Sequence, residues 1–216
     1  MAYVFDPESL QSIVRTHLRR RSEDPCEALP ESLAKRYPGH IDRDAEWIFN
    51  NAGGAMGHMR VLHASLNEYL ILFGTPIGTE GHTGRFFVDD WFFILEGEQW
   101  AYEAGTRTRE VYRPGDVHHL RRGVAKGYRI PERCYALEYA RGIIPLMLPF
   151  GVADTISSTV DYVTLGRTVK AYARGVISSM RGGMLSRGPA IARSDDTDRP
   201  RRDRSRAHSA DGSRHE

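Results

Sequence analysis

Cysteine is scarce in this chain: Cys26 and Cys134 are the two thiols among 216 residues. Two such distant thiols do not make a disulfide framework, and a reducing compartment is the simpler setting. Also missing is any stretch near the roughly 18 consecutive apolar residues of a membrane span. The opening residues lack the basic and apolar regions of a signal peptide. Any membrane attachment is therefore expected to be peripheral, or through a segment outside this sequence. Charge is not strongly biased to one sign. Thirty Lys and Arg against 28 Asp and Glu leave +2, too balanced to point to nucleic acid as a partner. No internal repeat and no Walker-type glycine loop occur. Ser65, Ser157 and Ser158 sit in no nucleophile elbow, and Cys134 has no catalytic pattern around it.

What is present is a helical start, a strand-rich middle and a helical end. Residues 6–38 read as helical. Asp6 can cap, Pro7 suits the first turn, Leu10, Ile13, Val14 and Leu18 fall at helical spacing, and Pro25 and Pro30 interrupt the pattern. Residues 42–49 are expected to form a further short helix, closed by the glycines at 53 and 54. From about residue 56 the pattern predicts strands over 59–65, 68–74, 90–95, 99–102, 110–112, 117–120, 125–130 and 134–139. Gly and Pro separate them, which argues for a β-barrel or jelly roll. Beyond Pro149 the apolar residues return to helical spacing, with Gly166 expected to divide two helices. Arg167, Lys170 and Arg174 edge an apolar stripe, a pattern that suits a helix on a membrane surface as well as a bundle helix with a solvated edge. From Arg181 on, Arg, Ser, Asp and Gly predominate and disorder is expected. The expected organisation is a helical segment over 1–55, a barrel over 56–145, helices over 146–180 and a tail over 181–216.

Chemistry concentrates in residues 81–97. Asp89 and Asp90 lie inside a run of Phe, Val, Trp, Ile and Leu that otherwise reads as a buried strand. Strand neighbours point to opposite faces, so one aspartate is expected inward and the other outward. A carboxylate facing an apolar interior tends to keep its proton and can act as an acid at neutral pH. Glu138 is a second such group, sharing a strand face with Ala136 and Ala140, a small-residue lining suited to a cavity. The alternatives are structural: backbone amides for the aspartates, an ion pair with Arg141 or Arg85 for Glu138. Two buried acids on strands of one barrel form an unequal pair, one protonated and one ionised, which can move a proton between carbons.

Histidine offers less. The stretch from Pro114 to His119 partly resembles the second motif of metal-binding cupins, but the first motif is missing. Alternation would send His118 and His119 to opposite faces, His82 stands alone, and a mononuclear site needs about three converging ligands. No metal and no cofactor are expected.

These residues carry a resemblance. The stretches Leu62-His-Ala-Ser-Leu-Asn-Glu-Tyr-Leu-Ile-Leu-Phe-Gly-Thr75, Gly78-Thr-Glu-Gly-His-Thr-Gly84, Glu110-Val-Tyr-Arg-Pro-Gly115, Leu137-Glu-Tyr-Ala-Arg-Gly-Ile-Ile-Pro145 and Ala153-Asp-Thr-Ile-Ser-Ser-Thr159 are similar to the family of fungal C-8 sterol isomerases and the sigma-1 receptor. The resemblance runs over roughly residues 3–180. It implies an α+β, mainly β fold: a cupin-like β-barrel with N-terminal helices and two C-terminal amphipathic lid helices resting on the membrane. It also implies a homotrimer, association with the endoplasmic reticulum in a eukaryote, and one cavity with Glu138 as its main acid. Tyr69 matches the tyrosine that hydrogen-bonds that acid, and Met59, Phe92, Leu148 and Tyr172 fall at cavity-lining or lid positions. Two departures stand out. The family's N-terminal membrane helix has no counterpart here, and the receptor's second acid falls at Phe92 whereas the isomerase-type pair stands as Asp89-Asp90. His118-His119 and Leu146-Met-Leu-Pro-Phe-Gly151 also look more like the fungal enzymes. The expected activity is Δ8→Δ7 sterol isomerisation by Glu138 with Asp89 or Asp90, on a sterol substrate and without a cofactor. The alternative is a non-catalytic binder of sterols or hydrophobic amines, and a metal-dependent cupin enzyme is a third.

Overall fold

The structure, a computed structural model, describes residues 3–20 and 24–185, with side chains as far as 181. Two helices lead, α1 (Pro7–Arg19) and α2 (Pro25–Arg36). Ten strands follow. The first five are β1 (Ile48–Ala52), β2 (Ala55–Ala64), β3 (Glu68–Thr75), β4 (Thr79–His82) and β5 (Val88–Gly97). Then come β6 (Gln99–Tyr102), β7 (Glu110–Tyr112), β8 (Val117–Leu120), β9 (Gly127–Ile130) and β10 (Cys134–Gly142). A short 3₁₀ turn leads to α3 (Leu148–Asp154), a π turn over Thr155–Thr159, and α4 (Tyr162–Leu185). The chain is α+β, as expected, but among the described residues helix and strand are about equal rather than mainly β.

The strands form two antiparallel sheets, a six-stranded one in the order β1-β2-β3-β10-β5-β8 and a four-stranded one in the order β4-β9-β6-β7. The larger sheet is covered on both faces, which is why its strands read as nearly unbroken apolar runs. On one face Leu70, Leu72, Trp91, Phe93, Leu137 and Tyr139 pack with Leu10, Val14, Leu29 and Leu33 of the two leading helices. On the other face Met59, Ile71, Phe73, Ile94 and Ala136 pack with Ile130 of the smaller sheet, and Met59, Ile71 and Phe73 also border a cavity on that side. Two-residue periodicity thus sorts each strand into a helix-facing set and a cavity-facing set.

The helical start follows its capping chemistry. The Asp6 carboxylate accepts from the Ser9 amide at 2.8 Å, and Asp24 accepts from Cys26 at 2.8 Å. Pro25 opens α2 rather than breaking it. Pro30 lies inside that helix, where its missing N–H leaves the Cys26 carbonyl without its usual donor. The buried Arg60 supplies one from β2 at 3.4 Å.

Three further expectations are corrected. Residues 42–49 do not form a helix. Arg60 binds the carbonyls of Ala45 at 2.9 Å and Arg43 at 3.1 Å, the Asp42 amide donates to Leu62 at 2.8 Å, and residues from Ile48 on enter β1. The sheet therefore begins inside the segment assigned to helices. Gly166 does not divide the C-terminal helices. The break is at Val160, which takes a left-handed conformation (φ 52°), and Asp161 then caps α4 by accepting from the Thr164 amide at 2.9 Å. Finally, α4 continues to Leu185, past the expected start of the tail at Arg181, and the remaining tail lies outside the described residues.

Candidate active site

Ala140 on β10 is opposed by Tyr69 on β3 and by Asp90 on β5. Glu138, two residues along the same face, is opposed by Ile71 and Phe92. Tyr69, Asp90 and Glu138 therefore converge diagonally over the small side chain of Ala140. All three border a cavity of about 350 Å³ whose other walls include Met59, Phe92, Leu148 and Tyr172. Asp89 is on the opposite face of β5. It accepts from the Arg122 amide at 3.1 Å and lies 3.6 Å from the Arg122 guanidinium and 3.7 Å from His119. Asp90, not Asp89, meets Glu138.

The polar groups of this trio are unequally satisfied. The Tyr69 hydroxyl donates to Glu138. Asp90 and Glu138 face each other diagonally across β5 and β10, and two acids so buried and so close resist being ionised together, which favours a proton on one of them. Asp90 Oδ1 is buried without a partner. An orphan oxygen is far more costly on a carboxylate than on a protonated acid, so the proton belongs on Asp90. Burial, and then the neighbouring Glu138 charge, push the Asp90 carboxyl well above the usual range. Burial also raises Glu138, to about 7, opposed by the hydrogen bonds from Tyr69 and Asp90. Tyr69 is itself held well above its ordinary value by burial and by both acids, and remains a donor. At neutral pH the trio is a protonated Asp90, a Glu138 poised to ionise and a neutral Tyr69. The ion pairs considered for Glu138 do not form. Arg85 donates to the Gly123 carbonyl, and Arg141 lies 4.7 Å over the Trp91 ring.

A different buried acid shows the contrast. Glu68 accepts from the Val4 amide at 2.8 Å, the Phe5 amide at 3.4 Å and the Tyr139 hydroxyl at 3.0 Å. Both its oxygens are partnered and it ties the N-terminal segment to β3; it does not line the cavity of the Asp90–Glu138 pair.

Residues after β10 close the cavity. Phe150 on α3 meets Phe86 edge-on at 5.2 Å, and the Asp154 carboxylate accepts from the Gly54 amide at 3.0 Å. Gly53 in that turn has φ 64°, and a Cβ there would stand 2.2 Å from the His82 carbonyl oxygen. Leu165, Val169 and Tyr172 of α4 turn inward, and the Tyr172 hydroxyl donates to the Ser65 carbonyl at 2.9 Å.

Tyr128, Gln99 and His118 are among the cavity residues that the sequence did not single out as site residues. Tyr128 on β9 reaches the cavity from the smaller sheet, near enough for both acids to raise its hydroxyl after burial has done so. Gln99 and His118 also border it. Alternation had separated His118 from His119, and the structure does place His119 outside, stacked 4.5 Å from Trp91. Among the described residues no three His, Cys, Asp or Glu side chains converge as a metal-ligand set.

A family profile described as "ERG2 and Sigma1 receptor like protein" matches residues 1–183. The chain belongs to that family. The "C-8 sterol isomerase ERG2" of Gibberella zeae is 50% identical over 186 residues, covering 85% of this chain and 79% of the relative. The "C-8 sterol isomerase" of Neurospora crassa is 52% identical, covering 84% and 73%. The "Sigma non-opioid intracellular receptor 1" of Gallus gallus is 40% identical, covering 81% and 80%. The family thus includes both isomerases and receptors, and the named isomerases share more identity with this chain than that receptor does.

Proposed function

We propose that this member of the family is a sterol C-8 isomerase that moves a ring double bond from Δ8 to Δ7 with the Asp90–Glu138 pair. Protonated Asp90 gives its proton to C9, and the π electrons of the C8–C9 bond form the new C9–H bond. The tertiary cation left at C8 is stabilised by the Glu138 carboxylate in a cavity that excludes water. Glu138 then takes a proton from C7, the C7–H electrons close the C7–C8 double bond, and the pair again holds one proton. The observation that carries this reading is the acid pair itself: two cavity-facing acids in diagonal register, Asp90 with a buried unpartnered oxygen and Glu138 supplied with a hydroxyl donor. Tyr69 keeps Glu138 able to accept. The apolar walls suit a sterol and shield the cation. Membrane association through α3 and α4, in the endoplasmic reticulum of a eukaryote, and assembly as a homotrimer are parts of the same reading.

Conversion of a Δ8-sterol by purified protein in D₂O tests it: the Δ7 product should carry one deuterium, at C9. Product without label, or no product, would exclude the mechanism. A second reading has its own support, since an ionised Glu138 would also pair with the ammonium of a hydrophobic amine. Tight amine binding without sterol turnover would favour the receptor-like role.

A further inference from the structure

Across β5 from Glu138, the same face continues. Glu138 opposes Phe92, and Phe92 opposes His118 on β8. Two interstrand steps, roughly 9–10 Å between backbones, separate the reacting acid from this imidazole. His118 is 3% exposed and Gln99 beside it 4%. The imidazole Nδ1 lies 2.7 Å from Gln99 Oε1, while Nε2 is buried without a partner. Tyr112 stacks on the ring at 4.5 Å and is itself held by donating to Glu110 at 2.6 Å. The ring is thus fixed on one face and at one nitrogen, and the other nitrogen is left without a partner at the cavity wall. The proton transfers described above use neither His118 nor Gln99.

Gln99 presents an oxygen, so Nδ1 carries the proton and Nε2 is a bare acceptor. Burial, reinforced by Lys126, lowers the imidazole to about 4, so it stays neutral near pH 7. A fixed buried acceptor selects for a donor and rejects groups that can only accept.

We propose that the Gln99–His118 pair is a hydroxyl-recognition site, in which Nε2 of His118 accepts a hydrogen bond from the alcohol at the end of the apolar ligand. This rests on the sterol reading, under which the alcohol is the 3-hydroxyl on the ring fused to the one whose double bond moves. The site orients the ring system by its alcohol end so that C7 and C9 meet the acid pair. It also selects the free alcohol over its ethers and esters, which lack the donor.

The experiment measures binding to the full chain of three matched Δ8-sterols: the free 3-alcohol, its 3-methyl ether and the 3-deoxy hydrocarbon. The alcohol should bind about 10-fold tighter than either analogue, the size of one well-made buried hydrogen bond. In His118→Leu that preference should vanish, with affinity for the deoxy compound kept. Gln99→Leu, which frees the ring's tautomer, should weaken the preference without abolishing binding. Equal binding of the three by the parent protein would overturn the proposal whatever the variants do, as would a preference retained in a folded His118→Leu. Isomerase turnover is recorded beside binding. A hydroxyl preference without turnover keeps this site and sinks the proposed reaction; turnover without preference does the reverse. Binding of none of the three would overturn both.

Discussion

Asp90 and Glu138 are held on one face of neighbouring strands by a register that only refolding could change. Proximity of two buried acids forces them to share a proton, and Tyr69 biases which one ionises. Glu138→Gln keeps shape and hydrogen bonding but cannot exchange protons, so turnover should fall by ~10²–10⁴-fold. Asp90→Asn should behave alike, whereas Asp89→Asn, on the outer face, should leave the rate near parental. Steady-state assays on the three variants separate these outcomes, and a parental rate in Glu138→Gln would sink the mechanism. The pair also has a signature in stability. Both folded-state values are raised, so the stability these groups allow is complete below the ordinary carboxylate range and is lost as pH rises through the folded values, between 4.5 and about 7 for Glu138. Glu138→Gln should therefore melt higher than the parent at pH 8 and no higher at pH 4, with roughly 2–4 °C for each kcal/mol regained. A lower melting temperature at pH 8 would contradict the assigned burial cost. Tyr69→Phe removes a bond that favours the ionised form, so the acidic limb of the pH–rate profile should move to higher pH. At this scale the sequence was informative about residue type and face. Alternation separated Asp89 from Asp90 and His118 from His119. It could not say which aspartate faces inward, because that depends on pairing with β10. Nor did it single out Tyr128 or Gln99, whose places depend on how the smaller sheet faces the larger.

Among the elements, the strands were the most legible and the segments between them the least. Strands β6, β7 and β8 match their expected bounds because short apolar runs between Gly and Pro leave little choice. Strand β4 was missed: Thr79-Glu-Gly-His82 has no apolar alternation, and its pairing with β9 supplies what its composition lacks. Residues 42–49 look helical in isolation, and Arg60 and the β2 backbone override that preference by bonding their main chain. The break at Val160 is illegible for a related reason, since a β-branched residue is among the least expected to adopt a positive φ. On α4 the legible signal was amphipathicity, and the decisive contact was a glycine. A Cβ on Gly175 would stand 2.8 Å from the Ala64 Cβ and 3.0 Å from its amide nitrogen. Gly175→Leu should hold α4 away from β2 while leaving the acid pair in place. Ligand dissociation should speed up and KM rise, with the pH–rate profile unchanged. Stopped-flow dissociation of a bound sterol or amine measures this, and an unaltered off-rate would show that α4 is not the closing element.

For the whole molecule, the arrangement of lid and cavity carries a consequence for where the protein works. No described helix is long and apolar enough to cross a membrane. Yet Ile156, Val163, Ile177 and Met180 are at least half exposed along the lid segments. Arg167, Lys170 and Arg174 are exposed beside them. Leu165 and Tyr172 of the same helix line the cavity. One face of α4 thus closes the site while the others present the apolar residues and basic edge of an interfacial helix. A sterol dissolved in a bilayer would have a short path under a lid resting on that bilayer, without crossing water. The protein should therefore float with vesicles containing phosphatidylserine and bind neutral vesicles more weakly, each Lys or Arg near the surface adding about 1 kcal/mol that salt removes. Val163→Glu combined with Ile177→Glu should abolish flotation. Because both side chains are exposed, the melting temperature should hardly change, and turnover of detergent-solubilised sterol should stay within a few fold of parental. Turnover of vesicle-borne sterol should collapse, and this contrast between the two presentations is the measurement that decides. If the double variant converts vesicle-borne sterol at the parental rate, the lid does not deliver substrate from the membrane and the exposed apolar stripe has another purpose.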